Sequence, residues 1–263
     1  MDISTLFSLE GKIAVVTGGS RGIGKLFAEG FIQAGCAKVY ITARKAQACI
    51  ETAEELGPKC IALPHDLSTL EGIDAFVADL KSHEEHIDIL INNAGAAWGQ
   101  DYLEFSEDGW DKTMDLNLKS PFFLTQKLHG MLTKNATADE PSKVINIASI
   151  DGLRLNPWET YAYHASKSGL VYLTRRVAAR VLRDHIVVNC IAPGAFASDM
   201  NRAARDHADD VAKRIPSGRI GNGEDISAAA IYLAARSGNY VVGQTIAVDG
   251  GLVWATIGSS IDA

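Results

Sequence analysis

A tyrosine and a lysine stand four residues apart, at Tyr163 and Lys167, in a stretch with helical spacing. Residues at i and i+4 share one face of a helix, about one turn apart. A free phenol has a pKa of about 10 and exchanges its proton poorly at neutral pH, but a nearby ammonium stabilises the phenolate and lowers that pKa. The pair is therefore suited to proton transfer between a carbonyl and an alcohol.

The Tyr-x-x-x-Lys spacing is weak by itself, because it occurs by chance on many helices. Tyr161 is followed at i+4 by Ala165 and has no lysine on its face, which favours Tyr163. Ser149 follows the apolar run Val144–Ala148, which predicts a strand. Ligands of doubly wound sheets bind beyond the carboxyl ends of the strands, where this hydroxyl could polarise a substrate carbonyl. The alternative for a lone serine at this position is an ordinary turn residue.

A glycine-rich turn is the first of the elements that must position this chemistry. The strand pattern Ile13–Val16 runs directly into Thr17–Gly24 (TGGSRGIG), where helical spacing begins. Glycines let the backbone approach a pyrophosphate, and the helix N-terminus presents free N–H groups to it. In this context Gly-x-x-x-Gly-x-Gly predicts a dinucleotide site, and the alternative is a βα turn without a ligand. The expected contacts are Gly18, Ser20, Arg21, Gly22, Ile23 and Gly24.

The residues after the second predicted strand indicate which dinucleotide binds. Folds that prefer NAD usually place an acid ~20 residues or slightly more beyond the glycines, where it binds the ribose 2′-hydroxyl. This chain has Ala43 and Arg44 there instead. A guanidinium holds a 2′-phosphate with charge-assisted hydrogen bonds, and Arg21 can reach the same phosphate. We therefore expect NADP(H) rather than NAD(H); the alternative is that both arginines are solvated surface residues.

Short apolar runs alternate with longer stretches of helical spacing along the whole chain. The predicted strands are Ile13–Val16, Val39–Ile41, Cys60–Leu63, Ile87–Ile91, Val144–Ala148, Ile186–Ile191 and Thr245–Val248, and the predicted helices are Gly22–Ala34, Lys45–Leu56, Leu70–His83, Gly109–Leu132, Thr160–Leu182 and Asp225–Ala235. This alternation predicts an α/β Rossmann fold: one domain over residues 1–263, with a doubly wound, parallel, seven-stranded sheet and helices on both faces. The polar, alanine-rich segment Phe196–Arg219 has no strand signal, and we expect one or two short helices there, inserted as a substrate lid at about 196–219.

Composition disfavours several other classes of protein. The net charge of −7 and the lack of a basic run argue against a nucleic-acid binder or a membrane-surface protein. The four cysteines lack the spacing of a zinc site, so no metal is expected. No apolar stretch approaches the ~18–20 residues of a membrane span, and the N-terminus lacks a secretory pattern. We therefore expect a cytoplasmic protein with reduced thiols.

Further short motifs continue the pattern along the chain: Asp66–Leu67, Asn92–Gly95, Asn117, Pro193–Gly194 and Asp249–Gly251. With the glycine loop, Ser149 and the Tyr-x-x-x-Lys pair, and in this order, they resemble the short-chain dehydrogenase/reductase family over about residues 9 to 254. The resemblance implies an NADP(H)-dependent oxidoreductase that reduces a small-molecule ketone to a secondary alcohol.

The resemblance also implies a role for each matching residue. Tyr163 would transfer the proton, Ser149 would orient the carbonyl, and Lys167 would lower the pKa of the tyrosine and bind the nicotinamide ribose. Asn117 would support a water relay to bulk solvent. Further cofactor contacts are implied at Asp66 and Leu67 for the adenine end, at Asn92, Ala94 and Gly95 for the central region, and at Pro193, Gly194, Phe196 and Ser198 for the nicotinamide.

Within the family, the chain is similar to 3-oxoacyl (β-ketoacyl) reductases of the rhamnolipid-biosynthesis type. This implies a 3-oxoacyl or related partly apolar carbonyl as substrate, and the expected lining includes Trp98, Leu153, Leu155, Trp158, Phe196 and Met200. Arg154, Arg202 and Arg205 either meet an acidic group of the substrate or form a solvated charged face. Two alternatives stay open: a reductase or dehydrogenase of another secondary alcohol, such as a sugar alcohol or steroid, and a non-catalytic NADP-binding sensor on the same fold.

The resemblance implies a homotetramer, or a homodimer, packed through the two long helices that include Asn117 and Tyr163. An apolar patch near Leu252–Ile257 is a second candidate interface.

Overall fold

The computed structural model describes residues 2–255. Two residues of the expected apolar patch, Thr256 and Ile257, lie outside that range. The sheet contains β1 (Ile13–Thr17), β2 (Lys38–Thr42), β3 (Cys60–Ala62), β4 (Ile89–Asn92), β5 (Ser142–Ile147), β6 (Ile186–Pro193) and β7 (Thr245–Val248). Their order is β3-β2-β1-β4-β5-β6-β7, and every neighbouring pair is parallel. The predicted seven-stranded parallel sheet is confirmed.

Helices cover the sheet on both sides. They are α1 (Ile3–Leu6), α2 (Gly22–Gln33), α3 (Ala46–Leu56), α4 (Leu70–His83), α5 (Glu107–Met114), α6 (Ser120–Lys127), α7 (His129–Thr133), α8 (Tyr161–Val181), α9 (Arg202–Asp206), α10 (Ala208–Ala212) and α11 (Gly223–Ala234). None of the helices in residues 2–255 is both long and apolar enough to cross a membrane.

Two hydrophobic clusters fix the helices to the sheet, one on each face. Successive strand residues point to opposite faces, and β1 feeds both clusters. Val16 belongs to a cluster with Phe27 of α2 and Leu233 of α11. Val15 belongs to the other cluster, together with Phe76 of α4. Because both faces are buried, the strands read as continuous apolar runs in the sequence.

The strand order places a crevice between β1 and β4. The chain winds outward from β1 through β2 to β3, and then returns to place β4 on the other side of β1. Ligands of such sheets bind at this switch point, outside the carboxyl ends of the strands. The loop after β1, which is the glycine-rich turn, therefore lies at the expected binding edge.

The predicted helix Gly109–Leu132 is wrong as one continuous element. It is divided into α5, a π-helical turn at Asp115–Lys119, α6 and α7. At the turn, the N–H of Ser120 donates to the carbonyl of Asp115, five residues back instead of four. Pro121 follows and has no N–H to give to the carbonyl of Asn117. The π-helical turn thus interrupts regular α-helical bonding around Asn117, a predicted catalytic residue.

The segment before the last βα unit forms two short helices, α9 and α10, as the sequence predicted. Phe196 at its start is buried and forms an isolated β-bridge with Gly221 beyond its end. The two ends of this insertion are therefore held together at the same edge of the sheet as the glycine loop.

Candidate active site

The glycine loop forms a cradle at the end of β1. Gly18 and Gly22 have φ angles of +65° and +52°, in the left-handed region that favours glycine. Arg21 precedes α2 without a side-chain cap, and the first turn of α2 has no acidic residue. The N-terminal N–H groups of α2 are thus available to an anion. This local chemistry fits a pyrophosphate.

Two residues that the sequence analysis did not assign hold this loop against β4. The hydroxyl of Thr17 accepts hydrogen bonds from the N–H groups of Asn93 and Ala94, each at 2.9 Å. The Asn93 side chain donates to the carbonyls of Thr17 and Gly18, at 2.8 and 3.3 Å. A polar residue directly after a buried strand, facing the glycine loop across the switch point, is the signal that could have identified Asn93.

The side chain of Asn92, expected near the cofactor, points into the core. Its amide donates to Thr125 at 3.1 Å and to Asn146 at 2.9 Å, and the Asn146 amide continues to Thr174 at 2.9 Å. This network joins β4 and β5 to α6 and α8. A cofactor contact by Asn92 would have to come from its backbone.

The residues expected at the adenine end lie at the rims of β1, β2 and β3. Arg44 is exposed just after β2, and Leu67 is buried after β3. The Asp66 carboxylate accepts from the N–H of Ser68 at 3.0 Å.

The other residues of the glycine loop are held by contacts within the protein. Arg21 pairs with Asp199 at 2.8 Å, so the glycine loop is linked to the start of the inserted segment. Ser20 is bound through its carbonyl, which accepts from Thr52 of α3 at 2.8 Å, and Ile23 packs on the core from the first turn of α2.

Ser149, Tyr163 and Lys167 come together at the carboxyl end of β5. Ser149 follows the strand, and its hydroxyl accepts from the N–H of Asp151 at 3.1 Å. The phenol of Tyr163, in the first turn of α8, lies near the Ser149 hydroxyl, which acts to lower the pKa of the phenol. One turn later, Lys167 is buried; its Nζ donates to the carbonyl of Ile147 at 2.8 Å and lies 5.7 Å from the centre of the Tyr163 ring.

Burial changes the proton affinities of this pair. It raises the pKa of Tyr163 to about 12, an effect that the Ser149 hydroxyl opposes and the Asp151 carboxylate reinforces. Burial also lowers the pKa of Lys167 to about 8. The expected lowering of the tyrosine pKa by lysine is therefore not the dominant effect, because desolvation disfavours the charged form of each group. At neutral pH the phenol is a proton donor and the lysine is a cation.

Asn117 ties the π-helical turn to the loop after β4 and to α8. Its side-chain oxygen accepts from the N–H of Ala96 at 2.8 Å, and its amide donates to the Ala96 carbonyl at 2.9 Å. The same amide donates to the hydroxyl of Ser166 at 3.0 Å, and Ser166 donates to the Tyr163 carbonyl at 2.9 Å. Gly95 is part of this contact, since a Cβ there would lie 3.2 Å from the Asn117 oxygen. Ser166 is a further residue that the sequence analysis missed.

The loop after β6 brings the last predicted residues to the same edge. Pro193 ends the strand, and Gly194 donates from its N–H to the Val248 carbonyl at 2.9 Å. Gly194 also packs so closely on Asp249 that a Cβ would meet its Cα at 2.7 Å. Ser198 lies beside Gly22, whose Cβ would be 3.4 Å from the serine Cβ. Ser198, one of the residues expected at the nicotinamide, thus lies next to the glycine loop.

Within residues 2–255, no three His, Cys, Asp or Glu side chains are grouped to hold a metal ion. The edge of the sheet brings together the glycine cradle, the Tyr163 phenol, the Ser149 hydroxyl and the buried Lys167 ammonium.

Comparison with known proteins shows how widely this arrangement is shared. A family model described as enoyl-(acyl carrier protein) reductase matches residues 18–253. The chain is 44% identical over 252 residues to the rhamnolipids biosynthesis 3-oxoacyl-[acyl-carrier-protein] reductase of Pseudomonas aeruginosa, covering 93% of this chain and 97% of that protein. It is 41% identical to the 2-dehydro-3-deoxy-D-gluconate 5-dehydrogenase of Escherichia coli, covering 95% and 98%.

Among solved structures, the Pseudomonas aeruginosa RhlG/NADP active-site complex superposes with a TM-score of 0.90. It is 42% identical, and the match covers 94% of this chain and 98% of that one. The similarity therefore extends over the whole sheet and both faces.

Proposed function

We propose that this chain, which belongs to the short-chain dehydrogenase/reductase family, reduces a ketone to a secondary alcohol with NADP(H) as its cofactor. The single observation that carries the proposal is the meeting of Ser149, Tyr163 and Lys167 at the edge of the sheet that also holds the glycine cradle. A cofactor and a carbonyl can thus share one crevice.

We propose that the cradle and the N-terminus of α2 hold the pyrophosphate of NADP(H), and that Arg44 and Arg21 hold its 2′-phosphate. The exposed guanidinium of Arg44 and the positive end of the helix dipole support this assignment. When bound, NADPH supplies a hydride to the carbonyl carbon.

The chain's own residues then bind and protonate the substrate oxygen. Ser149 donates a hydrogen bond that holds and polarises the carbonyl. Tyr163 transfers its phenolic proton to the same oxygen. Because the pKa of Tyr163 is raised to about 12, the phenol is protonated at neutral pH before the transfer. Lys167 places a positive charge beside the resulting phenolate, which stabilises it.

The first candidate substrate is a 3-oxoacyl compound or a related partly apolar ketone. The similarity to the Pseudomonas aeruginosa reductase supports it, as does the exposed apolar surface of Leu155, Trp158 and Met200 in the two loops next to the site. A second candidate is a keto acid of the sugar type, as named for the Escherichia coli relative. The observation that favours the second is the half-buried cation of Arg154, which lies in the loop after Ser149 and bonds to the carbonyl of Leu252. We further propose that residues 196–219 close over the substrate as a lid.

A panel of ketones, β-ketoesters and keto acids, assayed with NADPH and with NADH, tests this function. We expect ketone-dependent oxidation of NADPH for at least one class, and slower oxidation of NADH. Tight binding of NADPH with no turnover of any ketone would contradict the enzyme and support the NADP-binding sensor instead.

We also propose that the chain forms a homotetramer or homodimer. A mostly apolar groove of about 640 Å³ lies between α8 and the helices that flank the π-helical turn. Its lining includes Met114, Leu118, Phe122, Tyr172 and Leu173, and the side chains of Phe122 and Tyr172 are exposed in the single chain. Light scattering of wild type and of Tyr172→Glu tests this interface: a mass that falls in the variant supports it, and a monomeric wild type excludes it.

We place the protein in the cytoplasm. All four cysteines are free, buried thiols, which fits a reducing compartment.

A further inference from the structure

Most of the buried polar atoms without a hydrogen-bond partner in the described structure come from one short segment of the chain. Residues 2–255 contain five such side-chain atoms, and three belong to Arg154 (Nε), Asn156 (Nδ2) and His164 (Nε2). All three residues lie between Ser149 and the second turn of α8. Native proteins rarely leave such groups unpaired, and each exception calls for a physical explanation.

Arg154 is the residue whose chemistry is most specific. One guanidinium nitrogen donates to the carbonyl of Leu252 at 2.7 Å, which fixes the side chain at the rim between the loops that follow β5 and β7. A guanidinium has five N–H donors. Among residues 2–255, the main-chain carbonyl of Leu252 is the one group that accepts a hydrogen bond from the Arg154 side chain. Among the described residues, this half-buried positive charge therefore has no carboxylate beside it.

The other arginines that were expected to meet an acidic group differ in this respect. Arg205 is bound by Asp199 at 2.7 Å and by Asp206 at 2.8 Å, so its charge is already balanced. Arg202 is exposed to solvent on α9. Arg154 alone among these three combines burial, a fixed position and an unused donor.

The same loop also contains a negatively charged side chain, Asp151. The carboxylate of Asp151 raises the pKa of Tyr163, so its field acts on the reacting oxygen. It forms no ion pair with Arg154 in the described structure, whose guanidinium bonds to Leu252 instead. Near the phenol, the Asp151 carboxylate and the Lys167 ammonium oppose each other, whereas Arg154 has no carboxylate partner among residues 2–255, so an anionic ligand group fits best at Arg154.

We propose that Arg154, with the side-chain amide of Asn156, binds a carboxylate carried by the ketone substrate. A carboxylate matches the planar fork of a guanidinium and takes two parallel hydrogen bonds from it. The Asn156 side-chain oxygen already accepts from the N–H of Trp158 at 2.8 Å, so its amide is oriented with the donor unused. This inference rests on the proposed ketone reduction, and within it selects keto acids over 3-oxoacyl thioesters, which are neutral at the acyl end.

The test compares each acid with its own neutral ester. The probes are 3-oxobutanoate, 4-oxopentanoate, 5-oxohexanoate and their methyl esters, together with 5-keto-D-gluconate. We expect wild type to prefer one acid over its ester, and Arg154→Gln to lose about 10- to 100-fold in kcat/KM for that acid, mainly through KM, while changing the ester little. Arg154→Lys keeps the charge without the fork and should lose less.

The matched control is Arg183→Gln, which removes one exposed positive charge just after the end of α8, outside the proposed site. It should leave the acid-to-ester ratio unchanged. Equal losses on acid and ester in Arg154→Gln would mean that the residue only supports the loop, and would overturn the inference. No acid preference in wild type would overturn it as well. Either result leaves ketone reduction intact, whereas failure of every ester and acid with wild type would refute the reaction itself.

Discussion

Lys167 donates a hydrogen bond from its ammonium to the main-chain oxygen of Ile147, 2.8 Å away. The bond fastens α8 to the end of β5, two residues before Ser149. It also holds the cation 5.7 Å from the centre of the Tyr163 ring, close enough to stabilise a phenolate. The charge of this buried ammonium is therefore the property of the site that pH can change.

We predict that kcat/KM for ketone reduction falls as pH rises through about 8. This parameter reports groups of the free enzyme, and burial lowers the pKa of Lys167 to about 8. Tyr163 keeps its proton across this range, because its pKa is raised to about 12. Lys143→Met is the control, since Lys143 has a similarly lowered pKa but lies at the opposite end of β5. The same fall should occur in that variant; a flat profile from pH 6 to 10 in wild type would refute the assignment.

Lys143 itself leads to a prediction about stability. It is 3% exposed, and its ammonium donates to the neutral side chain of Asn239. Burial lowers its pKa from 10.5 to about 8, a difference that corresponds to roughly 3 kcal/mol of destabilisation while both states are protonated. Lys143→Met should therefore increase the free energy of unfolding at pH 7 by about 1–3 kcal/mol, allowing for the lost hydrogen bond.

The pH dependence of that difference has a definite sign. Between pH 8 and 10.5 the unfolded lysine binds more protons than the folded one, so this residue makes wild type more stable as pH rises. The advantage of Lys143→Met should thus shrink from pH 7 to pH 9.5 in urea unfolding. An advantage that grows over this range would contradict the lowered pKa.

Asn117 and Ser166 should differ in how far they support the site. Asn117→Ala leaves both the N–H and the carbonyl of Ala96 without their side-chain partners, which should cost roughly 2–4 kcal/mol of stability and lower kcat by roughly 10- to 100-fold through misplaced groups. Ser166→Ala removes one link to Asn117 and should cost about 1 kcal/mol. Thermal unfolding and kcat measured on both variants check the order; a larger effect for Ser166→Ala would contradict it.

Arg44→Asp should change cofactor choice. A carboxylate in place of the guanidinium repels a 2′-phosphate, so the Kd of NADPH should rise by about 10- to 100-fold, while that of NADH changes little. Arg183→Asp makes the same change of charge just after α8, at an exposed position, and should alter neither. Fluorescence titration measures both constants, and an equal loss for the two cofactors would refute the contact with the 2′-phosphate.

The sheet could be predicted because burial on both faces leaves a direct trace in the sequence. Each strand is a run of apolar residues, such as Ile13–Thr17, and helical spacing between the runs requires parallel crossovers. The break in the predicted helix 109–132 left a single local signal, Pro121, which follows the π-helical turn. The break accompanies the contact of Asn117 with Ala96, and a contact between distant segments is not encoded in local spacing.

In the candidate site, too, some features could be predicted from the sequence and others could not. Residue types and strand ends made Ser149, Tyr163 and Lys167 candidates, because parallel strands deliver their carboxyl ends to one edge, and the family resemblance was needed to select them. Local pattern could not decide which of two adjacent asparagines faces the glycine loop; Asn92 turns into the core and Asn93 binds the loop. Nor could spacing reveal the pKa values, since these depend on how completely the folded chain excludes water.

The central claim is that the Tyr163 hydroxyl transfers the proton, and Tyr163→Phe tests it most directly. Initial rates of ketone-dependent NADPH oxidation should fall by at least about 100-fold, while the Kd of NADPH, measured by fluorescence on the same preparation, stays within about threefold of wild type. A folded Tyr163→Phe protein that binds NADPH and still reduces the ketone at the wild-type rate would contradict the account.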